Sequence, residues 1–74
     1  MYCKIKEFRF NLRHIVHYLC YDTEHPDGMK YCIVVRTRID EYKFIFDTQG
    51  HRDTVLHQLD ELMDEYERMS SIIR

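Results

Sequence analysis

The amino-acid sequence predicts an α+β fold, a small single compact domain over residues 1–74 with a long C-terminal amphipathic helix packed on a β-hairpin. Three observations carry this. Val55, Leu59, Leu62, Tyr66, Met69 and Ile73 recur at alternating steps of four and three, with Leu56 and Met63 beside them, so a 3.6-residue period stacks them in one apolar stripe. Residues 31–38 and 42–46 are dense in β-branched and aromatic types and are separated only by Ile39, Asp40 and Glu41, as in a hairpin. Finally, 74 residues leave room for one core; a domain of that size buries only about 60% of its unfolded surface and is marginal as a lone monomer.

The elements follow in order. In residues 1–10, Phe8, Phe10 and Leu12 alternate with Arg9, Asn11 and Arg13 as in a strand, whereas Ile5 and Phe8 also extend a helical stripe backwards; the strand is preferred. Leu12, Ile15, Val16 and Leu19 make a helical face with Asn11 as its N-cap, predicting a helix over 12–21. Residues 23–28 read as a polar loop, in which Pro26, Asp27 and Gly28 favour a turn. In the hairpin, Tyr31, Ile33 and Val35 share a face, as do Tyr42, Phe44 and Phe46, so one side of the ribbon meets the C-terminal helix. Asp47, Thr48, Gln49 and Gly50 are turn-forming and capping types before that helix.

The resulting order, β-α-β-β-α, resembles most of a split β-α-β ferredoxin-like unit, with residues 71–74 as a vestigial last strand. With residues 1–10 helical instead, the order is helix, hairpin, helix. No internal repeat or linker is evident in either case.

Composition narrows the class of function. Hydrophobic residues make up 45% of the chain, with six Tyr and four Phe, and one Pro and two Gly exclude low-complexity behaviour. Cys3, Cys20 and Cys32 form an odd set without a disulfide-framework spacing, which points to a reducing compartment and a cytoplasmic location. Neither a signal peptide nor a spanning helix is expected, and no membrane anchoring. The net charge of −2 conceals an asymmetry: residues 1–38 carry +3 and residues 39–74 carry −5, so the halves suit each other, a second copy, or two kinds of partner.

Chemistry-bearing motifs are weak. His14, His17 and Cys20 place imidazole and thiol donors at steps of three, the pattern of a small zinc-stapled domain, but on a helix they fan over about 120°, too wide for one tetrahedral ion to take all three. Cys20 near His17 is a poor nucleophile constellation, and Cys32 in an apolar run reads as a buried small hydrophobe. Without a phosphate loop, Gly-x-Ser-x-Gly or His-Glu-x-x-His, neither enzymatic activity nor a cofactor is expected. His25-Pro26-Asp27 is identical to the tripeptide of J-domain co-chaperones. That family holds it between two antiparallel helices, yet residue 31 onward reads as strand, so the resemblance ends at three residues.

The remaining expectations concern binding. The ferredoxin-like order with Tyr42, Phe44 and Phe46 on an interior strand resembles an RNA-recognition motif in outline, which implies RNA or DNA binding by the basic N-terminal half; that family's glycine-containing signature is absent. Aromatics that face the helix cannot stack on bases, and net negative charge opposes nonspecific binding. Arg36, Arg38 and Lys43 on the open sheet face, and Asp60, Asp64 and Glu67 on the acidic ridge of the helix, are the candidate contacts to a larger protein partner. The expected role is a non-enzymatic regulator or inhibitor, in the manner of small phage-type inhibitors of nucleic-acid-binding machinery. A helix over 51–72 would extend about 33 Å against about 17 Å for a five-residue strand, so its apolar stripe outruns the sheet. Leu62, Tyr66, Met69 and Ile73 are therefore the expected self-interface of a homodimer.

Overall fold

A computed structural model describes the backbone of residues 1–73 and the side chains of residues 1–70. The order is β-β-β-β-β-α: β1 (Tyr2–Ile5), β2 (Phe8–Asn11), a single 3-10 turn (Leu12–His14), β3 (Ile15–His25), β4 (Gly28–Thr37), β5 (Glu41–Phe46) and α1 (Gln49–Ile73). The α+β class and the long C-terminal helix on a sheet stand. The β-α-β-β-α order does not, because residues 12–21 are not helical. Asn11 does cap, accepting a bond from the Arg13 backbone N–H, but it closes only the 3-10 turn. Beyond it, the β-branched and aromatic residues Ile15, Tyr18, Tyr21 and Thr23 pair with β4, Val16 forming a bulge between the paired Ile15 and His17, and that long-range ladder overrides a helix-like spacing of four apolar residues. The helix runs to Ile73, so residues 71–73 are not a strand; Arg74 lies outside the described residues.

Residues 23–28 are not a loop between unlike elements but the tip of a long hairpin. His25 pairs with Gly28, leaving Pro26 and Asp27 at the corner, and Gly28 has φ +122°, a conformation that side-chain-bearing residues rarely adopt. The second hairpin reads as expected: Ile33 faces Phe44 and Val35 faces Tyr42. The N-terminal segment is a hairpin rather than one strand, with Ile5 paired to Phe8 across Lys6 and Glu7. Lys6 takes φ +54°; its ammonium donates to the Ile45 carbonyl and sits 4.7 Å from the Phe46 ring centroid, fixing the small hairpin against β5.

The three-stranded sheet has the order β3-β4-β5. Its inner face, bearing Tyr31, Ile33, Val35, Tyr42, Phe44 and Phe46, is covered by α1 and the β1–β2 hairpin, which contribute Leu59, Cys3, Ile5, Phe10 and, just beyond β2, Leu12. Full burial of each such aliphatic side chain is worth about 1.5–3 kcal/mol. Thr48 starts the helix by accepting from the His51 N–H through its hydroxyl and from the Arg52 N–H through its carbonyl. Among the described residues one charge is buried: Arg52 donates to Asp53 at 2.7 Å and to Asp22 at 2.9 Å, and lies 5.6 Å from the Tyr31 ring centroid. This anchors the first turns of α1 to β3 and β4.

Farther along, the Tyr18 hydroxyl donates to Asp60, so α1 runs toward the end of the sheet where β3 begins. The molecule is 49 Å long. A 25-residue helix spans about 37 Å and an 11-residue strand about 36 Å, so the two are staggered and the helix overhangs the sheet at that end.

Candidate binding groove

At the same end, β2, the 3-10 turn and the β4–β5 connection enclose a groove of about 320 Å³. Its apolar part comes from alternation. Phe8 and Phe10 occupy one face of β2, and Tyr42 lies on β5, with ring centroids 5.4 Å apart for Phe8 and Tyr42 and 5.1 Å for Phe10 and Tyr42. Phe44 supports them, edge-on to Phe8 at 5.6 Å. Phe10 is buried, whereas Phe8 remains 48% exposed, so the groove presents a partly open aromatic side chain on a packed base.

The opposite wall is a well-tied turn. Thr37 donates its N–H to the Asp40 carbonyl at 2.8 Å and its hydroxyl to the same oxygen at 3.0 Å, while that hydroxyl accepts from the Asp40 N–H at 3.1 Å. Asp40 in turn accepts from the Glu41 N–H through its carboxylate at 2.9 Å. These bonds hold up Ile39, which is 94% exposed, beside Arg38. Ile39 and the half-open Phe8 line the same groove, so the two exposed apolar side chains form one patch rather than scattered single residues.

Electrostatically the groove is one-signed. Arg9, Arg38 and His14 line it and no carboxylate side chain does. Among the described residues, none of these three makes an ion pair. The site therefore offers apolar contact with two uncommitted guanidinium groups, which suits an apolar side chain flanked by anions.

The expected contact residues divide differently. Arg36 and Lys43 do lie on the open sheet face, where Arg36 stands 3.9 Å from Glu41 and the Lys43 ammonium 5.5 Å from the Tyr21 ring centroid; the hydroxyl of Tyr21 raises the Lys43 pKa. Arg38 is not on that face but in the groove-lining turn. Asp60 is engaged by Tyr18, and Asp64 and Glu67 are exposed on the same flank of α1. Burial first, then the Asp60 hydrogen bond and the charges of Asp60, Asp64 and Glu67, pushes the Tyr18 phenol well above its ordinary range. Of the expected self-interface, Leu62 and Tyr66 are half-buried against the chain's own core, Met69 is exposed, and the Ile73 side chain lies outside the described residues.

The zinc-like triplet is dispersed. His14 sits in the 3-10 turn, and His17 and Cys20, three apart on β3, face opposite sides of the sheet. Among the described residues no three His, Cys, Asp or Glu side chains converge on a metal-sized site. No described helix is long and apolar enough to cross a membrane.

Comparison with protein-family models, curated proteins and solved structures finds no significant match. The groove thus has to be read from its own chemistry. Phe8, Asn11, Thr37 and Ile39 were not among the expected contacts. One signal was present in the sequence: Ile39 is an aliphatic residue set between Arg38 and Asp40 in a turn, where polar types prevail.

Proposed function

We propose that this chain is a small, non-enzymatic protein-binding module that regulates or inhibits a larger partner by gripping an exposed segment in the aromatic–arginine groove. A leucine- or phenylalanine-sized side chain of the partner sits against Phe8 and Ile39, and carboxylates beside it meet Arg9 and Arg38. The observation that carries this reading is the Thr37–Asp40 bond set, which holds Ile39 and Arg38 out in solvent next to a half-open phenylalanine. Rigid aromatic and arginine groups around a desolvated centre are the usual makings of a binding hot spot. Three free cysteines suit a reducing compartment such as the cytoplasm.

Protein is favoured over nucleic acid by ring geometry. Phe8 is engaged with Phe10, Tyr42 and Phe44 at centroid distances of 6.3, 5.4 and 5.6 Å, so an aromatic cluster, not a free flat platform for a base, lies at the groove. The test is fluorescence anisotropy with three labelled probes: a short peptide carrying one Phe between Asp and Glu residues, the same peptide with Lys in place of the acids, and a single-stranded oligonucleotide. The acidic peptide is expected to bind, and Arg38→Glu to weaken it by at least about tenfold through like-charge contact. Equal binding of both peptides, or preference for the oligonucleotide, would overturn the reading.

A further inference from the structure

We infer that the groove accepts the overhanging end of α1 from a second copy of this chain, giving a two-fold dimer in which each copy inserts one helix end and receives one. The inference rests on the groove reading above: a second copy occupies the groove that the larger partner's segment takes, so the two compete for it.

The overhang supplies what the groove lacks. Leu62 and Tyr66 bury one face of α1 against the core, and Met69, seven residues after Leu62, continues that face. Met69 is nevertheless 44% exposed, because the sheet beneath has ended. It is an unbranched, polarizable side chain suited to an aromatic recess. Glu65, four residues earlier, lies on the same flank of the helix, and Asp64 and Glu67 add negative charge nearby; residues 64–70 carry three acids against the single base Arg68. An apolar anchor beside carboxylates thus faces a recess lined by Phe8, Ile39, Arg9 and Arg38 without carboxylates.

Geometry assigns that end to another molecule. Because α1 is continuous from Gln49 to Ile73, and is fixed to β3 by Arg52–Asp22 and Tyr18–Asp60, its end cannot turn back across β5 into its own groove. Ile15 pairs with Thr37, which places the groove-lining turn at the end of the sheet toward which α1 runs. Overhang and groove therefore lie at one end of the molecule. Two copies meeting there about a two-fold axis exchange both contacts at once, and a closed pair forms instead of an open chain.

Sedimentation equilibrium and light scattering over a wide concentration range test this, with far-UV circular dichroism confirming that each variant folds. The wild-type chain is expected to dimerise, and high salt to weaken the dimer. Met69→Asp, Arg9→Glu with Arg38→Glu, and Glu65→Lys with Glu67→Lys should each weaken self-association by at least about tenfold. Mixing the groove-reversed and helix-reversed proteins should restore dimers, since each then meets its complement. A wild-type monomer at every concentration, a dimer indifferent to Met69→Asp, or a mixture that stays monomeric would overturn the exchange. If the acidic peptide still binds such a monomer, only the self-pairing falls; if the peptide also fails, the groove reading falls with it.

Discussion

Replacing Phe8 by alanine separates stability from recognition. A fully buried Phe→Ala change costs about 3–5 kcal/mol. Phe8 is 48% exposed, which removes roughly half of that, while its edge-on and tilted contacts with Phe44 and Tyr42 keep the loss toward the upper part of the remaining range, about 2 kcal/mol. A chain of 74 residues has a total stability of about 4–11 kcal/mol, so the variant stays folded at room temperature. For a domain of this size the loss corresponds to a melting temperature lower by about 10 °C. Urea and thermal unfolding followed by circular dichroism read the first quantity, and anisotropy of the acidic peptide reads the second on protein known to be folded. An unchanged midpoint would show that the ring is not packed on Tyr42 and Phe44. A lowered midpoint with unchanged peptide affinity would refute the groove as the recognition site.

Three further outcomes are expected. Arg52→Ala should destabilise by about 2 kcal/mol, discounted because Asp22 and Asp53 are themselves about half exposed, and Arg52→Met by less because it keeps the apolar stem; urea midpoints check the order of the two. In thiol titration with an aromatic disulfide, exposed Cys20 should react first, whereas buried Cys32 and Cys3, the latter with its thiol pushed up by burial, should wait for denaturant. Because the folded state raises the Tyr18 pKa, it favours the neutral phenol: this contribution is complete below the unfolded value of about 10 and is lost as pH rises through the folded value. Stability should therefore fall at alkaline pH as the Tyr18 phenol ionises above its ordinary range, and Tyr18→Phe should lack both effects, as followed by phenolate absorbance and melting.

What the sequence disclosed depended on how local the deciding forces were. The stripe from Val55 to Tyr66 and the runs of β4 and β5 carry their periodicity within themselves, and those elements formed where expected, on the faces expected. Residues 12–21 failed because Leu12, Ile15, Val16 and Leu19 satisfy a helical spacing that competes with the strand-favouring Ile15, Val16, Tyr18 and Tyr21; the ladder with residues 28–37 decides between them, and it is a tertiary fact. Pro26 and Asp27 held the clue, since a two-residue corner between long β-prone runs signals a hairpin. For the same reason the groove was only partly visible. Arg38 was singled out, but for the sheet face, whereas its place beside Phe8 and His14 depends on how the N-terminal hairpin folds over β5.

The bulge at Val16 and the acids above it bear on how this sheet ends. β3 has β4 as its hydrogen-bonded neighbour, so its far side offers main-chain donors and acceptors to any extended chain, and the ladder is interrupted only between Ile15 and His17. Asp60, Asp64 and Glu67 crowd the flank of α1 nearest Tyr18, on that strand. A copy arriving edge to edge would bring an identical row of carboxylates against them. Fibrillar growth of the sheet is thereby opposed by the protein's own charge, while a segment rich in lysine would meet no such barrier.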